Sequence, residues 1–362
     1  MAEFRRFRNP ETAQNIAQKI RDATTKSGQV KICHVCGTHE WTITHFGLRS
    51  LLPSNVEVIA GPGCPVCIVP AAEIDEAVQL AKEGKVITCF GDVLRVPGSE
   101  SSLIEVKAAG ADVRVVYAVS DATEMAKKEP KKEFVFFAVG FETTAPITAI
   151  EALGDLPQNF SFLVSHRLIP PAMESLLGVE DLQIDGFIAP GHVSAIIGVK
   201  PYELFTKVYR MPTVVAGFEP NDVLMAVYMI LRQHNVNDAR LENEYTRVVK
   251  PEGNKKALDA VRRAFTITSG NWRGIGRLDN SAFQLKDNLA QYDARKKYNL
   301  KPVQGRDIHK GCQCHQVIVG KIKPSQCGLF LKSCTPATPV GACMVSSEGT
   351  CRVWAKNVAV NV

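Results

Sequence analysis

The sequence predicts an α/β protein with two parallel-sheet domains around a cleft and a small cysteine-rich domain at the C-terminal end. Three observations carry that expectation. Short β-branched or aromatic runs alternate with helix-like periodicity through the first two thirds of the chain, the pattern of parallel sheets covered by helices. Chemically unusual residues collect where those runs end. The eleven cysteines fall in two groups, with none between Cys89 and Cys312.

The strand runs are VEVIA (56–60), KVITCF (85–90), VRVVYAV (113–119), EFVFFAV (133–139), FSFLVS (160–165), DGFIA (185–189) and TVVAG (213–217), with KICHV ahead of them. Most lead into a Gly- or Pro-bearing loop and then a helical stretch such as AAEIDEAVQLAKEG (71–84). Their nearly continuous apolar character fits sheets buried on both faces. The loops at their ends are CGTHE (36–40), GPGCPVC (61–67), GDVLRVPG (91–98), GFETT (140–144), APGH (189–192) and GFEPND (217–222). Ligands of open parallel sheets bind outside the carboxyl ends of the strands, so six such loops point to a common cleft. Asp92, Thr143 and Asn221 are also good capping types, and any one loop alone reads equally well as a turn and cap.

The expected division gives 1–118 to a first α/β domain with the CGTH and CPVC loops, completed by 213–240. Residues 119–212 form a second, with the GFETT and APGH loops. Residues 241–362 form the C-terminal domain. There ENEYTRVVKPEGNKKALDAVRRAF is polar and helical in period, and a Gly-, Pro- and Cys-rich tail follows. Such a tail buries too little to fold on hydrophobic burial alone, and a metal or cluster would supply the missing stabilisation.

A chain of 362 residues, 45% hydrophobic and 22% charged, is long enough for two or three globular domains. No stretch approaches 18 uninterrupted apolar residues, which argues against a membrane span. The opening MAEFRRFRNPETAQ is charged where a signal peptide needs an apolar run, so a cytoplasmic location is expected. A net charge of +6 without a Lys/Arg block argues against nucleic acid and suits an acidic protein partner. Neither GxGxxG nor GxxxxGK[ST] occurs, so nothing supports a dinucleotide or P-loop site.

Clustered cysteines in a reducing compartment point to metal or redox chemistry rather than a disulfide framework. In the tail, Cys312, Cys314, Cys327, Cys334, Cys343 and Cys351 offer six thiols with only one close pair. That irregular spread suits an iron–sulfur cluster, which takes four cysteines without fixed knuckle spacing; zinc and buried thiols are the other readings. Near the N-terminus, Cys64-Pro65-Val66-Cys67 has the form of a redox dithiol, with a following helix able to lower a thiol pKa. Its rival is a four-sulfur zinc site with Cys33 and Cys36. Cys36 and His39, three residues apart in a Gly loop, are a donor pair for soft, low-valent iron.

These motifs together resemble the HypD family of hydrogenase maturation factors: CGTH at 36–39, GPGCPVC at 61–67, FGDVLRVPG at 90–98, GFETT at 140–144, APGHVS at 189–194, AGFEP at 216–220 and MVSSEG at 344–349. The resemblance runs in order over nearly the whole chain. It implies two α/β domains around a cleft and a C-terminal domain with a [4Fe–4S] cluster. It also implies a scaffold with redox activity, rather than a conventional turnover enzyme, on which the Fe(CN)2CO group of [NiFe] hydrogenases is assembled. The small chaperone HypC would be its partner and HypE the cyanide donor. Carried over, Cys36 would bind the iron with His39 beside it, and Cys64 and Cys67 would be the cleft dithiol. Cys314, Cys327, Cys334 and Cys351 would hold the cluster, leaving Cys312 and Cys343 unrequired. Asp92, Arg95, Glu142, Thr143, Thr144, His192 and Glu219 would line the cleft. One departure stands out: Cys33-His34 replaces the family's usual Met-Glu before Val-Cys, so that Cys33 could compete for the metal or pair with Cys36. A free-standing iron–sulfur disulfide reductase acting on a protein, and a zinc-stabilised binding protein, are the alternative functions.

Overall fold

The computed structural model describes residues 6–24, 28–301 and 305–357; residues 1–5, part of the charged opening read above, lie outside them. The described residues form two parallel sheets and one antiparallel hairpin. The first sheet contains β1 (Val30–His34) and β2 (Val56–Ala60). After β2 the chain leaves it to build the whole second sheet: β3 (Val86–Cys89), β4 (Val113–Val115), β5 (Phe134–Gly140) and β6 (Phe160–His166), in the order β4-β3-β5-β6. It then returns with β7 (Gly186–Pro190), β8 (Thr213–Ala216) and β9 (Leu241–Asn243), completing the order β2-β1-β7-β8-β9.

This corrects the expected division of the chain. KVITC and VRV, assigned to the first domain, belong to the second sheet, and the strand before APGH, assigned to the second domain, belongs to the first. The cause is burial. Strand β5 (FVFFAVG) is buried along its whole length and takes a neighbour on each side, β3 through Ile87↔Val135 and β6 through Phe136↔Phe162. Strand β1 is flanked in the same way by β2 and β7. Every strand of both sheets is parallel to its neighbours, so the six motif loops all leave carboxyl ends. Four belong to the first sheet and two, GDVLRVPG and GFETT, to the second.

The run at 113–119 forms only the three residues of β4, and Tyr117 is 93% exposed. Beyond the helix Lys255–Ala264 lies a hairpin that the sequence reading did not anticipate, β10 (Phe265–Trp272) with β11 (Gly276–Leu285). It docks on the second sheet: the Leu168 amide donates to the Ser281 carbonyl at 2.9 Å, and buried Arg167 donates to the Asn271 carbonyl and the Glu73 carboxylate. From the hairpin's turn, buried Arg273 donates to the carbonyls of Val69, Pro97 and Asp307 at 2.6–2.9 Å. One guanidinium thus joins the segment after CPVC, the GDVLRVPG loop and the tail. The tail does not stand apart. Cys312, Cys314, Cys334, Cys343 and Cys351 share one buried apolar cluster with Cys64, Cys67 and residues of both sheets. No helix among the described residues is long and apolar enough to cross a membrane.

Candidate functional site: two sulfur-lined hollows

Cys36 follows β1 and stands at the N-cap of the helix Gly37–His45, with an extended backbone (φ −157°, ψ 130°). Burial dominates its thiol and pushes it up to about 12, with the nearby Glu348 carboxylate adding to the rise and the Thr38 and His39 amides opposing it. Two glycines let other segments close on it. A Cβ on Gly63 would stand 2.2 Å from the Cys36 amide nitrogen, so only glycine admits the CPVC loop this near. A Cβ on Gly37 would stand 2.5 Å from both the Cβ and the carbonyl oxygen of Glu348, so the tail's SSEG turn reaches the same place. Thr38 Oγ1 donates to Glu348 at 3.1 Å, and burial raises the Glu348 carboxyl.

The result is a small hollow of about 10 Å3 lined by His34, Cys36, Cys64, Cys67, Cys343 and Glu348, among others. That is room for one water-sized group. Cys64 and Cys67 are joined as a disulfide, with Cα atoms 5.3 Å apart. Cys33 is an unpaired thiol buried against Gly61. It is not among the residues lining the hollow, so the four-sulfur site with Cys36, Cys64 and Cys67 is not assembled.

Under the same helix lies a charge network centred on the buried Glu40. Glu40 accepts from His34 Nε2 (2.7 Å), Thr44 (2.6 Å), Arg49 (2.8 Å) and the tail's Trp354 indole (2.7 Å). Burial alone would raise its carboxyl; Arg49 and His34 outweigh that and hold it below its usual range. His39 is turned elsewhere. Its Nε2 donates to the Gly217 carbonyl at 2.8 Å and its ring packs on Phe218, whose ring also stacks on His192 at 3.8 Å. Burial lowers His39 to about 3, and the residue does not line the hollow.

The remaining expected cleft residues divide by role. Asp92 accepts from Ser346 and Ser347, and Arg95 donates to the Ala337 carbonyl, so both tie the tail down. Glu219 pairs with Arg8 and precedes the helix Pro220–Asn235 as its N-cap. Thr144 stands at the N-cap position of the helix Ala145–Ala152 and donates to the Phe141 carbonyl, with Thr143 half-buried beside it. Glu142 accepts from the Ile169 amide at 2.9 Å and lines a separate groove of about 1080 Å3 beside Lys200, Lys255 and Phe283.

The second hollow belongs to the tail. All six of its cysteines line it, with Leu329, Phe330 and Met344 as apolar walls. The Cys351 amide donates to the Cys343 sulfur at 3.3 Å. Among the described residues, no three His, Cys, Asp or Glu side chains converge as ligands of one metal ion; the thiols surround a space rather than a point. Cys343 lines both hollows. The sequence reading set it aside, because nothing in the spacing marks a residue that joins two sites through tertiary packing.

Fold and site together define a class: a two-sheet α/β protein whose tail thiols are packed against a strand-end disulfide and a lone buried cysteine. Comparison with known proteins makes this specific. Residues 11–358 match the HypD family, described as "Hydrogenase formation hypA family". The chain is 48% identical over 342 residues to a hydrogenase expression/formation protein of Methanocaldococcus jannaschii, covering 93% of this chain and 95% of the relative. It is 42% identical to the hydrogenase expression/formation protein HupD of Azotobacter chroococcum (96% and 94% covered) and 42% identical to the hydrogenase maturation factor HypD of Escherichia coli (96% of each). The chain belongs to the HypD family of hydrogenase formation proteins.

Proposed function

We propose that the chain matures [NiFe] hydrogenase as the scaffold on which the Fe(CN)2CO group is assembled, working with a HypC-type small chaperone and a HypE-type cyanide donor. The observation that carries this reading is the hollow itself. A soft thiolate donor, Cys36, and a reversible two-electron group, Cys64–Cys67, line one buried space. Attaching CN and CO to ferrous iron calls for a thiolate next to a source of electrons; the hollow as it stands holds one water-sized group, so the segments around Cys36 must part to admit the iron and its ligands. Opening the disulfide takes two electrons and two protons and yields two thiols beside the iron-bearing sulfur.

The tail residues fit a [4Fe–4S] cluster in donor chemistry: six buried cysteines around an apolar-walled space, where such a cluster takes four. Cys314, Cys327, Cys334 and Cys351 are the proposed ligands. When bound, the cluster supplies one-electron transfers, and Cys343 lies between it and the Cys36 hollow. The buried Arg273 cation, close enough to act electrostatically on Cys312 and Cys314, favours negative charge in that space. A free-standing disulfide reductase would need Cys64–Cys67 open to a protein substrate; both residues are buried.

Infrared spectroscopy of the complex with the small chaperone tests the proposal. The parent chain should carry CN and CO bands in the region empty of protein absorption, and Cys36→Ala should lose them while keeping its fold and cluster colour. Bands that survive Cys36→Ala would place the iron elsewhere and end this reading.

A further inference from the structure

We infer that His34, through Nδ1, is the nitrogen donor that faces the group held by Cys36. The inference rests on the assembly reading above and deepens it at one residue. Ile32, His34 and Cys36 alternate along β1 and its extended continuation, so His34 and Cys36 share a face. Both line the same hollow. Cys33, one residue out of phase along the strand, does not line it.

The His34 ring is 1% exposed, and its two nitrogens have different surroundings. Nε2 lies 2.7 Å from the Glu40 carboxylate. That carboxylate is held ionised by Arg49 and accepts further bonds from Thr44 and Trp354. A carboxylate only accepts, so Nε2 carries the hydrogen, and in the neutral ring Nδ1 presents its lone pair. Nδ1 has no hydrogen-bond partner although it is buried. A buried nitrogen without a partner is unfavourable, and a ligand in the hollow relieves it.

A carboxylate that orients one ring nitrogen while the other stays open is the usual support of a metal-binding histidine. Glu40 is itself fixed by three further partners, so ring and tautomer are set before any metal arrives. On binding, the Cys36 S–H gives up its proton to solvent and the sulfur and Nδ1 each donate an electron pair. No redox change is involved. His39 also has an open Nδ1, but its ring packs on Phe218 and lies outside the hollow's lining.

Cobalt K-edge absorption tests this without interference from iron. One equivalent of Co2+ is added anaerobically to the cluster-loaded full chain, whose tail ligands are then occupied, without reductant, so that Cys64–Cys67 stays closed. The parent should show a sulfur shell and the multiple-scattering signature of one imidazole. His34→Gln keeps an N–H donor for Glu40, so its fold should hold even where His34→Ala fails. It should lose the imidazole signature, keep the sulfur, and weaken Co2+ binding by at least about tenfold, the lower end of what loss of even an outer-shell partner costs. His39→Ala should retain both shells. An imidazole signature that survives His34→Gln, or that disappears in His39→Ala, overturns the inference and leaves the Cys36 reading standing. A sulfur shell that persists in Cys36→Ala overturns the assembly reading instead.

Discussion

Gly37 and Glu348 are in contact across more than three hundred residues of sequence, and the contact exists only because position 37 has no side chain. A Cβ there would lie 2.5 Å from the Glu348 Cβ and 2.5 Å from its carbonyl oxygen. The oxygen is backbone and cannot swing aside, so Gly37→Ala must displace the SSEG turn. Overpacking of this kind costs about 1–3 kcal/mol. Thermal unfolding of the variant should show a lower midpoint, and the Thr38–Glu348 hydrogen bond should be lost with it. An unchanged midpoint would mean that the tail is not seated on the CGTH loop in solution.

The sulfur count is the second expectation. Cys64 and Cys67 are paired and the other nine cysteines are free. Mass-resolved alkylation in denaturant, without reductant, should label nine thiols; with reductant it should label eleven. Cys64→Ser should give ten under both conditions, because Cys67 then has no partner. Eleven thiols in the unreduced parent would show that CPVC rests as a dithiol.

How much of this was legible in the sequence follows from what each feature depends on. The strands and their motif loops were, because apolar runs and Gly- or Cys-bearing ends are local signals. Which sheet each strand joins was not. KVITC lies close to VEVIA in sequence, yet it pairs with EFVFF because the fully buried β5 needs a neighbour on both edges. The hairpin β10–β11 was missed because most of its residues are exposed or half-buried, which blurs strand alternation among polar residues. Within the site, Cys36, Cys64 and Cys67 were found by their chemistry. His34 looked only like a departure from the family pattern, since its role depends on Glu40, Arg49 and Trp354 meeting in three dimensions. The same holds for Cys343.

The third expectation concerns pH and Glu142. Burial pushes its carboxyl up to about 8, against an ordinary value of 4.5. The folded chain therefore binds this proton more tightly than the unfolded chain between those two values, and stability must fall as pH rises through that window. Below about 4.5 both states are protonated and nothing is lost; above about 8 both are ionised and the loss is constant. Glu142→Gln removes the titration while Oε1 still accepts from the Ile169 amide. Parent and variant should be nearly equal in urea unfolding at pH 5. By pH 8 the variant should be more stable by about 2–4 kcal/mol, the order given by a shift of a few pKa units at 1.36 kcal/mol each. A difference that does not change between pH 5 and 8 would show that Glu142 is ionised in the fold throughout, held by a partner in its groove.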